Sequence, residues 1–226
     1  MKTIVAFAVL IVGISASALS GLNSDSGLER SARFVTDTIV SEIENVSQQI
    51  KDAGLDPLHI KKENFDFALP VPVIFNANAV VEDLMSTGLS DIVVKHINYV
   101  FILGRLDLVL ELPFIHLFAR ALNLDATLFG ETLSVRSDGR IDIRNLVLTL
   151  DVRVSYWLGI SISSVTADLE IPTVSTNIRL AIQGNNYSEQ INELIGKTIP
   201  DTLNEFNDEI NELLGIVLKD MINDQL

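Results

Sequence analysis

The chain has 226 residues, no cysteine and a formal net charge of −14 at pH 7. The absence of cysteine excludes thiol catalysis, thiolate metal sites and a disulfide framework, so burial of apolar side chains must hold the fold. The negative charge opposes binding to nucleic acid and to anionic lipid, and we therefore expect no nucleic-acid partner.

The first twenty residues have the pattern of a secretory signal peptide. Lys2 gives a positive start, residues 4–14 are apolar except for Gly13, and Ala16-Ser17-Ala18 offers a small-x-small cleavage site. The apolar core is shorter than the roughly 20 residues that span a bilayer. We predict a signal peptide at 1–20, an extracellular location, and a single mature domain at 21–226.

An amphipathic helix is predicted to follow a short Ser- and Gly-rich stretch and to end near Gly54, before Asp56-Pro57. Its apolar residues recur at steps of three and four: Leu28, Ala32, Val35, Ile39, Ile43, Val46 and Ile50.

From Asn64 onward the apolar period changes from 3.6 to 2, which indicates β-strands around 76–84 and 91–101 and beyond. The apolar stretch at 99–124 contains Arg105, Asp107, Glu111 and Arg120. Each such charge would cost roughly 2.5 to 3.5 kcal/mol at mid-membrane. We therefore predict half-exposed strands and no stable membrane insertion.

The later strands carry two local signals. Ser137-Asp138-Gly139 predicts a tight hairpin turn, because Asp-Gly accepts positive backbone angles. The alternation slips by one position at Arg144-Asn145, which predicts a β-bulge. Residues 160–171 and 174–182 predict two further strands.

A second helical region opens at Ser188, which is expected to cap it, and is interrupted at Gly196 and Pro200. Beyond this point an apolar stripe opposite a row of carboxylates predicts a long amphipathic helix, with Ile199, Leu203, Phe206, Ile210, Leu213, Val217 and Met221 on one face.

This order of elements predicts an α+β fold in which a long curved antiparallel sheet wraps around long amphipathic helices. The seam between helix and sheet would form an apolar cavity, or the same residues would pack as a solid core. The candidate ligand-lining residues are Val35, Ile39, Ile43, Val46, Leu148, Leu150, Phe206, Ile210, Leu213 and Val217.

Catalytic patterns are absent from the sequence. The three histidines, His59, His96 and His116, lack metal-ligand spacing, and neither a GxSxG elbow nor a phosphate-binding glycine pattern occurs. We predict no enzymatic activity, no cofactor and no metal. Asn45 and Asn186 lie in N-glycosylation sequons and are candidate glycan sites.

Three segments carry a resemblance to a known family: Met85-Ser86-Thr87-Gly88-Leu89-Ser90, Arg136-Ser137-Asp138-Gly139, and the closing helix from Ile199-Pro200-Asp201. With the order of elements, they resemble the arthropod tubular lipid-binding (TULIP) superfamily. The similarity is greatest to group 7 mite allergen-like proteins of insects, and more distant to juvenile-hormone-binding and takeout-like carriers. The chain departs from the hormone carriers because it lacks their amino-terminal cysteine pair.

The resemblance implies a half-length module that binds lipids, fatty acids or terpenoid-like molecules without converting them. We therefore expect a secreted carrier whose partner is a small apolar ligand. The alternative is a secreted interaction or structural protein that uses its apolar seams for self-association or for a protein partner. An oligomer is compatible with both interpretations.

Overall fold

The computed structural model describes residues 25–68, 75–155, 161–170 and 173–224. The predicted signal peptide at 1–20 lies outside these residues. Helices at both ends of the described chain enclose a series of strands, and the α+β prediction is confirmed.

The elements follow in this order: α1 (Asp25–Asp52), β1 (Leu58–Ala68), β2 (Phe75–Thr87), β3 (Val93–Val100), a 3-10 turn (Phe101–Leu103), β4 (Arg105–Leu128), β5 (Glu131–Ser155), β6 (Ser161–Glu170), β7 (Thr173–Ile182), β8 (Asn185–Asn186), α2 (Ser188–Glu193), a π-helical turn (Leu194–Thr198), α3 (Ile199–Glu205) and α4 (Asn207–Asn223).

The eight strands of the described residues belong to one antiparallel sheet that is built on the β4–β5 hairpin. These two strands have 24 and 25 residues, which corresponds to about 80 Å of extended chain each. β3 and β6 flank one half of the hairpin, and β2 and β7 flank the other, with β1 outside β2. We call the first the helix-bearing half (β3, β6, 105–112 and 146–155), and the rest of the sheet the open half.

The apolar face of the sheet continues across both halves because the inward-facing positions of β4 and β5 change between even and odd residue numbers at one point. Asn145 has a left-handed φ of 54° and lies opposite Pro113, which has no N–H to contribute to the ladder. On β4 the buried positions change there from Leu108 and Leu110 to Ile115. β4 and β5 stay in register at this point, so the predicted bulge is wrong. The predicted position is nevertheless the one at which the inward-facing residues change.

The predicted hairpin turn at Ser137-Asp138-Gly139 is also wrong. The turn between β4 and β5 is at Phe129-Gly130, and Gly139 lies inside β5, paired with Ala119 on one side and Ile178 on the other. Gly139 has φ 141°, and a Cβ there would come within 2.2 Å of the Asn177 carbonyl oxygen. The glycine is therefore required for close strand approach rather than for chain reversal.

The main apolar core fills the helix-bearing half. The stripe of α1 packs on the inner face of β3 to β6, and the end of α4 contributes Ile222. Its buried members are Val35, Ile39, Ile43, Val46, Ile50, Tyr99, Leu106, Leu108, Leu110, Leu150, Val152, Val154, Ile162, Ala167 and Ile222. The predicted buried stripe of the first helix is thus confirmed from Val35 onward.

Three asparagines attach the C-terminal helices to the outer edge of β7 and β6. Asn192 accepts from Ile178 N at 2.8 Å and donates to Ile178 O at 2.7 Å, and Asn223 makes the same pair of bonds with Ile162. Asn211 accepts from Leu169 N at 2.9 Å. A carboxamide offers one acceptor and two donors, so it replaces the missing strand neighbour.

These contacts decide which face of α4 is buried. Gly215 lies on β6, where a Cβ would be 2.5 Å from the Val165 carbonyl oxygen. The inward face therefore carries Asn211, Gly215 and Ile222. Most of the predicted stripe points outward, with Leu213 61% exposed, but Met221 packs against the core. The buried stripe predicted for the second helix is therefore wrong for α4 except at Met221, and a break at Phe206 separates α4 from α3.

We expect Gly139→Ala to lower the free energy of unfolding by more than about 3 kcal/mol, because its Cβ would collide with the β7 backbone. Gly130→Ala is the matched control: Gly130 also has positive φ, 84°, but no atom lies within 4 Å of its added Cβ. That variant should lose only about 1 kcal/mol. Equal losses in urea denaturation would contradict the close strand approach.

We expect Asn223→Ala to leave the N–H and C=O of Ile162 without partners and to cost about 1–3 kcal/mol. Hydrogen exchange should accelerate at the Ile162 amide but not at the Ile178 amide, which Asn192 binds. Asn204→Ala, at an exposed position of α3, is the control and should change hydrogen exchange at neither the Ile162 nor the Ile178 amide. Unchanged exchange at Ile162 would argue against the edge contact.

Candidate functional site

An apolar groove of about 210 Å³ lies on the inner face of the open half. The main core does not extend here, and Ile115 and Ala119 are buried outside it. The groove crosses four adjacent strands, β2, β4, β5 and β7. Its apolar inner-face residues are Leu84, Leu117, Ala119, Leu122, Ile141 and Ile178.

The strand register explains why a depression forms at this place. Ala119 pairs with Gly139, so the two smallest side chains meet in the middle of the sheet. Leu117 pairs with Ile141 next to them, and Leu84 pairs with Ala119 from β2. Small residues thus form the floor and larger aliphatic residues form the walls.

Ser86 lies next to this groove on β2. It follows Leu84 by two positions and is the direct cross-strand partner of Leu117, so it shares their face of the sheet. Its side chain is only 4% exposed, and within the described parts of the chain its Oγ is the one buried side-chain polar atom without a hydrogen-bond partner. Burying such a hydroxyl costs about 1–3 kcal/mol.

The chain after Ser86 is fixed by a buried carboxylate. Asp56, at the end of the α1–β1 connection, accepts hydrogen bonds from Gly88 N at 3.0 Å, from Ser90 N at 2.6 Å and from Ser90 Oγ at 2.5 Å. Burial acts to raise the pKa of Asp56, but the bonds from Ser90 and Gly88 outweigh it and lower the pKa below its ordinary value. Asp56 is therefore an anion that holds residues 88–90 in place.

The sequence-predicted lining residues lie in two places, and both are outside the groove. Those of α1 and Leu150 are in the packed core, with Leu148 packed against it. The predicted lining residues of α4, together with Phe206 just before it, lie on the outward side of this helix. Phe206, Leu213 and Val217 are 49%, 61% and 43% exposed, and Ile210 is half-buried. Their contact with a ligand stays a prediction.

Sequence reasoning missed the groove because it interpreted Gly139 as a turn. The available signal was a small residue, Ala119 in one segment and Gly139 in the next, at a position where the alternating pattern otherwise has Leu or Ile. A glycine inside a strand pattern indicates a close backbone approach or a depression as readily as a turn.

The outer face of the sheet carries the charged side chains in cross-strand pairs. Arg105 binds Asp151 at 2.7 Å, and Arg120 binds Asp83 at 2.6 Å. His116 Nδ1 is 2.5 Å from Asp142 Oδ1 on this face, away from the groove. Within the described residues no group of three or more His, Asp or Glu side chains has the arrangement of a metal site.

The two sequon asparagines are exposed. Asn45 lies in α1 and donates to Glu42 at 3.3 Å, and Asn186 lies in β8, where its side chain accepts from Ser188. Glycosylation at either position stays a prediction. None of the described helices is both long enough and apolar enough to cross a membrane.

A long curved antiparallel sheet, with one half packed on helices and the other half carrying an apolar groove, defines the α+β class of this protein. The profile of the haemolymph juvenile hormone binding protein (JHBP) family matches residues 13–226, and the chain belongs to this family. A search among curated protein sequences gave no match.

Two solved structures are similar in part. Takeout 1 from Epiphyas postvittana is 11% identical with a TM-score of 0.37, over 82% of this chain and 88% of that one. A lipopolysaccharide binding protein is 13% identical with a TM-score of 0.26, over 86% of this chain and 36% of that one. The more specific resemblance to group 7 allergens stays a prediction.

We expect Asp56→Ala to lower the free energy of unfolding by about 2–3 kcal/mol at neutral pH, because three donors lose their acceptor. The folded pKa is below the ordinary 3.8, so the stabilisation is present above pH 3.8 and is lost as the pH falls through the folded value. The difference in free energy of unfolding between wild type and Asp56→Ala should therefore decrease below pH 3.8.

Denaturation at a series of pH values measures this difference. Asp91→Ala is the control, because Asp91 is an exposed neighbour of the same loop. A difference that stays constant down to pH 2, or that Asp91→Ala reproduces, would contradict the role of the Asp56 anion.

Proposed function

We propose that this protein is a secreted, non-enzymatic carrier that binds a hydrophobic ligand in the apolar groove of the open half. The observation that carries the proposal is the groove itself: aliphatic side chains from four strands form its inner-face lining beyond the main core. An apolar concavity of this kind is the usual form of a small-molecule site.

Family membership supports the same function. The family takes its name from binding of juvenile hormone in haemolymph, which fits an extracellular protein with a small apolar ligand. We infer the ligand only as a class, a lipid, fatty acid or terpenoid-like molecule. The described residues that could support catalysis, such as His116, are paired on the outer face of the sheet, which favours binding without conversion.

The expected affinity follows from the apolar area that a ligand would bury in the groove. A ligand that buries on the order of 300 Å² of apolar surface gains roughly 7 kcal/mol at ~25 cal/mol per Å². Association costs reduce this gain, so the expected dissociation constant is micromolar or weaker. Such an affinity suits reversible loading and release.

The residues predicted from sequence enter this proposal in two ways. The α1 stripe with Leu148 and Leu150 closes the helix-bearing half and would form the inner end of the ligand space. The exposed stripe of Phe206, Ile210, Leu213 and Val217 offers a second apolar surface to a ligand that extends beyond the groove.

That exposed stripe also favours a second candidate function, self-association or binding of a protein partner. Leu213, Ile216 and Val217 are 61%, 52% and 43% exposed on the same helix, and a contiguous exposed apolar patch is typical of a protein interaction surface. Sedimentation equilibrium of wild type and Leu213→Ser tests it. A stable dimer that Leu213→Ser dissociates, together with no lipid uptake, would favour this function over the carrier.

The carrier proposal predicts that native mass spectrometry of the purified protein detects a bound apolar molecule and that a fluorescent naphthylamine probe binds with micromolar affinity. Leu122→Trp should weaken probe binding about tenfold, because Leu122 lines the groove and is 37% exposed, so a larger side chain fits but fills the site.

Ile102→Trp is the control in the 3-10 turn and should leave probe affinity unchanged, since Ile102 is 79% exposed and lies outside the groove. If Leu213→Trp weakens binding and Leu122→Trp does not, the ligand contacts α4 instead of the groove. Repeated recovery of clean apoprotein that ignores the probe would reject the carrier function.

A further inference from the structure

The side chain of Ser86 gives the mainly aliphatic inner face of the open half a buried hydroxyl without a hydrogen-bond partner, whereas Ser137 in the groove lining is only partly buried. Its β4 partner, Leu117, and its neighbour on β2, Leu84, both line the groove, and the side chains at all three positions are on one face. The Ser86 side chain is 4% exposed, and its Oγ has no partner among the described residues. A donor and an acceptor are thus held beside the apolar lining.

The neighbouring polar groups do not compete for this hydroxyl. The carboxylate of Asp56 is bonded to Ser90 and Gly88, and the Ser90 hydroxyl is bonded to Asp56. Thr87 and His116, the next pair along the ladder, are on the opposite side of the strands from Ser86 by the alternation of β2 and β4. Ser86 Oγ is therefore not engaged by these groups, and it lies on the same face as Leu84 and Leu117 at the margin of the groove.

We propose that Ser86 is the polar anchor of the ligand site and that its Oγ hydrogen-bonds the end group of an amphiphile whose apolar chain lies along Leu84, Leu117 and Ile141. This inference rests on the proposed carrier function and specifies the chemistry of its ligand. The hydroxyl can donate one bond and accept two, so it matches an alcohol or an ester carbonyl.

The charges around this position select a neutral end group over an anionic one. Asp56, which is held as an anion, fixes the loop that begins two residues after Ser86. Arg105, Arg120 and Arg136 are engaged in ion pairs on the outer face. An ionised carboxylate beside Ser86 would be buried near a like charge, and Lys51, the cation that acts on Asp56, is itself exposed, so burial of a second carboxylate is costly.

Three twelve-carbon probes test the proposal on the full chain: dodecan-1-ol, dodecanoate at pH 7.4 and 1-chlorododecane, each measured by displacement of a fluorescent naphthylamine. Ser86→Ala should weaken dodecan-1-ol binding about three- to tenfold, the effect of one lost hydrogen bond. It should change 1-chlorododecane binding less than twofold, because that probe cannot use the hydroxyl. Wild type should prefer dodecan-1-ol to dodecanoate.

Two further variants make the result interpretable. Ser175→Ala removes an exposed hydroxyl from β7 at a position paired with Asp142 of the outer face, and should change binding of none of the probes. Ser86→Cys keeps a weak donor and should give an intermediate loss for dodecan-1-ol only. It also replaces Ser86→Ala if circular dichroism shows that the alanine variant is unfolded.

The outcomes separate this inference from the carrier proposal. Suppose that wild type binds dodecan-1-ol and 1-chlorododecane. If both Ser86 variants then weaken binding of the two probes equally, or weaken binding of neither probe, the anchor role is overturned and the carrier function stands. A preference of wild type for dodecanoate would also overturn the neutral end group. If wild type binds no probe, both proposals fail.

Discussion

The outer edge of β7 and β6 would leave backbone N–H and C=O groups without strand partners, and three asparagine side chains supply those hydrogen bonds. Asn192, Asn211 and Asn223 lie along the C-terminal helices at positions that match successive parts of the edge. Because each carboxamide must meet the backbone at about 2.9 Å, the helices can neither rotate nor slide. The end of α4 consequently enters the core beside α1, and its apolar outer stripe stays at the surface.

With both long helical regions committed to these positions, the sheet has more apolar face than the core covers. α1 fills the helix-bearing half, and the change of inward-facing positions at Pro113 and Asn145 carries the apolar face onward into the open half. The resulting groove is therefore a consequence of strand length: β4 and β5 extend beyond the part that α1 packs against. A single fold thus combines a solid core, which maintains stability, with an apolar surface that is suited to a ligand.

The sequence predicted those features that depend on local periodicity. The α1 stripe at Val35, Ile39 and Ile43 is buried as its spacing of four residues required, and the strand alternation located the sheet. Gly139 was misinterpreted because an Asp-Gly pair has the same local signal in a turn and at a close strand approach, and only the position of β7 distinguishes them. The orientation of α4 depended on the register between Asn211, Gly215 and β6, about fifty residues apart in sequence, which periodicity does not report.

The helices that cover the β6 and β7 edge have an implication for biosynthesis. They are translated after every strand that they protect, so a nascent chain whose sheet has already formed exposes this edge until Asn192 and then Asn211 emerge. An uncovered, apolar-faced edge readily pairs with another chain. The interval between completion of β7 and docking of α4 is therefore the stage at which intermolecular β-pairing competes most directly with native closure.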